Sequence, residues 1–388
     1  MSDEIRFIDT APALEAFCLE IQGTQWLALD TEFVREKTYY PRLCLIQVAA
    51  GQSLACIDPM ALPDLGPLSE LLHDPKVVKV VHAAHQDLEI LFQATGKVPA
   101  PIFDTQVAVS LLGHGDQIGY AKLVQVFLDL ELDKGHARTD WSRRPLEPEQ
   151  LRYAADDVRY LAQVYPMLLE ALGEKGRLEW LTEDFENLTR ESRYLPDPDN
   201  AWRRVKGQKY LKGVQYAVLQ ALTAWRERQA MSADLPRRWV LSDDVLTEMA
   251  RRMPTEHGAL VKVRGLEDKA IARHGETLMA LVREAGALPQ SSWPTPVGPS
   301  RGIGPEHEEL LDVAMGILRH QARINDISPA AIATRKDVEA LFRQDPGCNL
   351  LQGWRAKLAG HAIQDWFEGR LGVDVREDQM HLESRPGQ

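Results

Sequence analysis

Cysteine is scarce: four residues in 388, Cys18, Cys44, Cys56 and Cys348, with no C-x-x-C pair among them. That spacing argues against a zinc knuckle or a disulfide framework and fits a reducing, cytoplasmic setting. Long apolar runs are missing too. No stretch reaches 18 apolar residues, so no membrane span is expected. The opening MSDEIRFIDT is acidic rather than a basic leader followed by an apolar stretch, so no secretion signal is read there. There is no GxxxxGK[ST] phosphate loop, which argues against a helicase. No long apolar seam or heptad run occurs, which leaves a monomer as the expected state. The remainder, 44% hydrophobic and 26% charged, describes a soluble globular protein long enough for two or three domains.

Charge is unevenly spread. Residues 1–195 hold 18 basic against 31 acidic side chains, whereas residues 196–294 hold 16 against 12. A net charge of −12 therefore conceals a basic middle third beside an acidic first half. The pattern suits a nucleic-acid docking module next to a carboxylate-rich catalytic one, and composition noise explains it equally well.

Periodicity divides the chain. WLALDTEF, RLCLIQVAA and SLACIDP are three short strand-like runs close together, as in an antiparallel meander. KVVKVVHA and PIFDT then read as strands separated by the helical AHQDLEILFQATG, a βαβ arrangement that makes the sheet mixed. Helices follow at YAKLVQVFLDLE and from Glu149 to about Glu174. YLPDPDNAW, residues 194–202, reads as a linker. The expected domains are 1–195 (α/β), 203–290 (helical), a proline-rich linker at 291–304, and 305–375 (helical, loosely repeating the first), with a frayed tail.

Four acids stand out. In a strand, Asp30 and Glu32 of LDTEF project from the same face. At 100° per residue, Asp87 shares the apolar side of its helix with Ala84, Leu91 and Ala94. Asp157 likewise falls inside the apolar arc of its helix, with Tyr153 one turn before it, while Asp156 faces away. A single buried aspartate is ordinarily a hydrogen-bonded core acid. Four in the order Asp-x-Glu, Asp, Asp with that tyrosine suit two divalent cations, magnesium or manganese rather than zinc, arranged for in-line phosphodiester displacement.

LDTEF, HAAHQDLEIL and YAADD resemble the three exonuclease motifs of the DEDD superfamily, in its tyrosine subgroup. TYYPRLCLIQ, IFDTQ, TDWSRRPL and two helical segments similar to HRDC domains narrow the resemblance to the bacterial ribonuclease D family. The resemblance implies a ribonuclease H-like 3′-to-5′ exonuclease domain followed by two all-α HRDC domains. It implies that Asp30, Glu32, Asp87 and Asp157 ligate metal, that Tyr153 orients the attacking water, and that RNA 3′ ends, chiefly of transfer RNA precursors, are the substrate.

Other residues carry alternatives. His82 and His85 flank Asp87 and are better read as packed than as ligands of a hard cation. Phe33 is either a wedge against the terminal base or a core aromatic. Asp104 fits a turn or helix start. Gln106, Arg143 and Arg144 are candidates for phosphate or ribose contact. Arg203, Arg204, Lys206, Lys209 and Lys212 crowd around Trp202 and Tyr210, a mixture suited to RNA docking or to a plain charged helix face. Two rival readings stand: a DNA-directed exonuclease, and an RNA-binding adaptor with an inert nuclease fold.

Overall fold

The computed structural model describes residues 4–115, 117–132, 139–295, 305–345 and 347–385. The chain divides into two units, one made of Met1–Phe33, Leu43–Tyr194 and Ile303–Gln388, the other of Val34–Arg42 and Leu195–Gly302.

The first unit is built on a six-stranded mixed sheet. Its elements run β1 (Arg6–Ile8), α1 (Ala11–Glu20), β2 (Trp26–Val34), β3 (Arg42–Ala50), β4 (Ser53–Ile57), α2 (Gly66–His73), β5 (Val78–Val81), α3 (His85–Thr95), β6 (Ile102–Asp104), α4 (Thr105–Ser110), α5 (Tyr120–Leu128), α6 (Pro148–Glu174) and α7 (Thr182–Leu188). Strand order is β1-β4-β3-β2-β5-β6. β3 and β4 pair antiparallel, while β1–β4, β2–β5 and β5–β6 are parallel. The meander and the βαβ unit thus lie side by side, and β1, only three residues long, is an edge strand the periodicity did not reveal.

Alternation along β2 decides the rest. Leu27 and Leu29 belong to a buried cluster with Leu14 and Phe17 of α1, Leu68 and Leu72 of α2, and Leu88 and Leu91 of α3. Ala28, Asp30 and Glu32 therefore face the opposite side. On that side lies α6: Cys56 Sγ, in β4, donates to the carbonyl of Leu151, 3.8 Å away. α6 begins with a reciprocal cap. The Glu147 side chain accepts from the backbone of Gln150, and the Gln150 side chain from that of Glu147 at 2.8 Å, with Pro148 at the first helical position.

The second unit is helical. It contains α8 (Gln215–Ala233), α9 (Arg237–Val240), α10 (Asp243–Arg252), α11 (His257–Leu260) and α12 (Asp268–Gly286). Its core joins Leu219, Leu222, Leu246, Met249, Leu278 and Val282 with Trp202, whose ring is fully buried edge-on to Tyr216. The linker expected at 194–202 is corrected here: Pro198–Arg204 is a 3-10 turn, and Trp202 closes the helical core. Tyr194 is buried as well, in the first unit's core. Of the second linker, Trp293 packs against the helical core, and residues 296–304 lie outside the described residues.

In the first unit the chain resumes with α13 (Pro305–Ile324), α14 (Pro329–Ile332), α15 (Arg335–Phe342), α16 (Gly353–Arg355) and α17 (His361–Phe367). It ends in a hairpin, β7 (Leu371–Arg376) with β8 (Gln379–Ser384). An all-helical segment with a frayed tail was expected, and the hairpin corrects it. Val373 and Val375 alternate with polar residues opposite Leu382 and Met380, and the turn is made by Glu377 and Asp378 at φ 49° and 59°. Two acids replace the Asn-Gly signal that such left-handed turn positions usually carry. The segment is fastened to the α6–α7 region by Trp354, stacked on Trp180 with centroids 4.7 Å apart and planes 7° apart. Arg355 holds Asp184 through two contacts of 2.8 and 3.0 Å, and Arg177 donates to the carbonyls of Leu111, Asn325 and Asp326.

Candidate active site

β2 and α6 bring three carboxylates to one place, and α3 carries a fourth near enough for its charge to be felt by Asp30. Asp30 and Glu32 come from the α6 side of β2, and Asp157 from α6 itself. Carboxylate oxygens of these three residues all lie within 4.8 Å of one another. Asp87 reaches the site from the other side of the sheet. Thr31, pointing away from its two acidic neighbours, donates its hydroxyl to Asp87 Oδ1 at 2.5 Å. Sequence periodicity put Asp30 and Glu32 on one face of a strand and Asp87 and Asp157 on the apolar sides of their helices, and the structure adds that Asp87 is turned toward Thr31, outside the tight group of the other three.

The electrostatics follow from burying like charges together. Asp30 is held well above the ordinary carboxylate range, first by burial, then by the charges of Asp87, Asp157 and Glu32. Burial, with Asp157 and Asp87 adding, pushes Glu32 up to about 8. Asp157 rises to about 7 through burial, Asp156 and Asp87. Asp87 also rises to about 7 by burial, against the lowering effect of the Thr31 hydroxyl. Tyr153 is pushed up to about 12, by burial and then by Asp157, Glu32 and Asp30, so its phenol stays protonated at neutral pH. An oxygen-only donor set this crowded fits hard divalent cations, whose charge would relieve the repulsion.

Residues outside the acidic set fix it in place. Tyr120 donates its hydroxyl to the carbonyls of Asp156 and Asp157, at 2.8 and 2.5 Å, tying the turn of α6 that carries Asp157. Asp104 caps α4 by accepting from the Gln106 N–H at 2.8 Å. It also accepts from Ala83 and Ala84 N–H at 3.0 and 2.9 Å. Ala83 sits at φ 58°, a left-handed conformation costly for a residue with a Cβ, at the turn that launches α3 and Asp87. Sequence reasoning found the cap and missed the second, longer-range role.

A 3′-5′ exonuclease family matches residues 5–173, and an HRDC domain family matches residues 215–282. Ribonuclease D of Zymomonas mobilis is 38% identical over 379 residues, covering 97% of both chains. Ribonuclease D of Pseudomonas paraeruginosa is 40% identical over 377 residues, 94% of this chain and 98% of its own. The chain belongs to the ribonuclease D family. The crystal structure of Escherichia coli RNase D, described as an exoribonuclease involved in structured RNA processing, aligns with a TM-score of 0.84 at 33% identity, over 94% of this chain and 99% of that one.

As a ribonuclease D, this protein is a 3′-5′ exoribonuclease that acts on RNA, and its exonuclease class depends on divalent metal. One HRDC domain is matched, in the basic middle third.

The remaining expected RNA contacts fare unevenly. Arg144 is occupied internally: its guanidinium grips Asp58 at 2.5 and 2.7 Å and donates to the carbonyls of Cys44, Trp141 and Arg143. It staples the Trp141 loop to the sheet, and that loop sets Trp141 against Tyr153 with centroids 6.3 Å apart. Gln106 donates its side-chain amide to the Ile118 carbonyl. His82 also meets that carbonyl and Thr105, a packed histidine as expected, whereas His85 is exposed beside Tyr194. Arg143 remains solvent-facing, with Asp140 at 3.4 Å. Phe33 is half-buried. In the second unit Lys206 and Lys209 are exposed, Lys209 over the ring of exposed Tyr210. Trp202, being core, is removed as a stacking surface.

Proposed function

We propose that Asp30, Glu32, Asp87 and Asp157 hold two magnesium or manganese ions and that the protein removes nucleoside 5′-monophosphates one at a time from RNA 3′ ends. The observation that carries this is the convergence of Asp30, Glu32 and Asp157 oxygens within 4.8 Å, with Asp87 close enough to raise the affinity of each for protons. Bound divalent cations supply Lewis acidity to the scissile phosphate and acidify the attacking water.

The chain's own groups do the rest. Asp30 and Glu32, on a rigid strand, and Asp157, on a helix pinned by Tyr120, fix the ligand geometry without loop motion. Tyr153, one helical turn from Asp157 and protonated at neutral pH, orients the attacking water through its hydroxyl rather than acting as the base. On this reading the protein belongs to the tyrosine subgroup of its superfamily. Phe33, leaving the same strand, stacks on the terminal base, and Arg143 meets backbone phosphate.

Transfer RNA precursors are the substrate this reading favours, with the HRDC domain and the C-terminal helical segment, read as a second HRDC-like domain, docking the RNA body. Lys206 and Lys209 contribute to that docking. A cytoplasmic monomer is the expected working form. Calorimetric Mn²⁺ titration of wild type and Asp157→Asn tests the site directly. Two ions per wild-type chain, and loss of at least one in the variant, are expected; equal binding by both proteins contradicts the assignment.

A further inference from the structure

The second unit carries a basic, aromatic surface that hydrolysis does not use. Residues 34–42, which follow Glu32 and Phe33 directly in the chain, read V-R-E-K-T-Y-Y-P-R, three cations against one acid. Within this unit they are fastened to the turn after α8. Asp234, itself at φ 47°, accepts on one oxygen from the backbone N–H groups of Tyr39 and Tyr40, at 3.0 and 3.1 Å. The Tyr39 hydroxyl donates to Glu227 and accepts from Arg237, both at 3.1 Å, and the Arg237 guanidinium lies 4.7 Å from the Tyr39 ring centre.

The same network runs inward. Glu227 is buried and pairs with Arg226 and Arg237. Arg226 bonds Asp243, whose second oxygen accepts from the Lys206 N–H at 3.1 Å. Residues 34–42, α9 and the Lys206 turn are therefore held by one chain of hydrogen bonds and ion pairs. Its acids, Asp234, Glu227 and Asp243, are all engaged internally. The segments so held carry exposed Lys37, Lys206, Arg238 and Trp239, Trp239 by 63%, and Arg238 lies near enough to Asp243, the acceptor of the Lys206 N–H, for its charge to be felt there.

An exposed indole on segments that also carry exposed cations is matched by one kind of ligand in particular. Single-stranded RNA offers a base face for the ring and phosphates for the cations, and stacking tolerates any sequence. We propose that Trp239, with Lys37, Arg238 and Lys206, forms a contact surface for single-stranded RNA, Trp239 stacking on a base and the three cations meeting phosphates. The proposal rests on the exoribonuclease reading. It differs from the docking assigned to Lys206 and Lys209 in naming Trp239 as the aromatic platform and in recruiting residues 34–42.

Two measurements on the full-length protein test it. Fluorescence anisotropy with a 12-nucleotide RNA in EDTA reads binding without turnover. Trp239→Ala should weaken binding roughly 5- to 100-fold, the range expected for losing one stacked base, and Trp239→Phe should restore most of it. Lys37→Glu with Arg238→Glu should flatten the salt dependence of binding. Hydrolysis of the p-nitrophenyl ester of thymidine 5′-monophosphate, which carries no further nucleotide to stack or pair with cations, should be unchanged in all three variants and lost in Asp30→Asn. Unchanged RNA affinity in Trp239→Ala overturns the surface. Ester hydrolysis that survives Asp30→Asn instead overturns the catalytic assignment, leaving the anisotropy result to stand by itself.

Discussion

Thr31 donates its hydroxyl to Asp87 at 2.5 Å from within the Asp-Thr-Glu triplet, so a single strand supplies two acids to one side of the sheet and steadies a third on the other. Thr31→Val keeps the shape and removes the donor. A buried acceptor left short of a partner costs roughly 1–3 kcal/mol, so thermal or urea unfolding should show a loss of that size. The hydroxyl also favours the ionised form of Asp87. Without it Asp87 holds its proton to higher pH, and the acidic limb of the rate profile should move upward. An unchanged profile would show that the contact does not govern ionisation.

Cation-free protein should lose stability as the solution is made less acidic. Glu32, Asp87 and Asp157 have folded-state values raised to about 8, 7 and 7, above those of the unfolded chain. Their contribution is complete below the unfolded values near 4 and disappears as pH rises through the folded ones. Melting curves in EDTA from pH 5 to 8.5 should fall across that window, and Mg²⁺ should restore stability most strongly at its upper end. A melting temperature that climbs with pH in EDTA would contradict the charge assignment.

Asp104→Ala removes a carboxylate that accepts from three backbone N–H groups. Loss of the helix cap alone costs about 1 kcal/mol, and the left-handed turn at Ala83 loses its restraint as well. A destabilisation of roughly 2–4 kcal/mol is expected, with weaker divalent-cation binding because Asp87 loses its aim. Full stability in a chemical-denaturation curve would argue that the turn holds itself.

Arg144 and Arg143 should separate cleanly. Arg144→Ala strands Asp58, whose side chain is only 3% exposed, and breaking such a pair costs on the order of 3–5 kcal/mol. The variant should unfold early yet bind RNA normally at low temperature. Arg143→Ala should leave stability alone and raise KM for RNA. The reverse pattern would return Arg144 to the substrate.

Much of this was written in local pattern. Period-two alternation located β2, β3 and β4, and helical periodicity turned Asp87 and Asp157 inward because their neighbours on the same arc are apolar. What escaped depended on partners far along the chain. Nothing near Asp104 signals Ala83, nothing near Arg144 signals Asp58, and the side that Asp87 would favour was set by a threonine 56 residues earlier. The Pro-Asp run before Trp202 has a linker's composition, yet a fully buried indole outweighs it. The final hairpin escaped because its left-handed turn positions are filled by two acids.

Degradation of one single-stranded RNA, labelled at either the 3′ or the 5′ end, by wild type and Asp30→Asn with Mg²⁺ or EDTA, is the most direct measurement. Wild type should release labelled mononucleotide from the 3′ end at once and give a shrinking ladder from the 5′ label. EDTA should abolish both, and Asp30→Asn should slow them roughly a hundredfold or more. A folded Asp30→Asn protein that degrades RNA at the wild-type rate would contradict the carboxylate site as the seat of the chemistry.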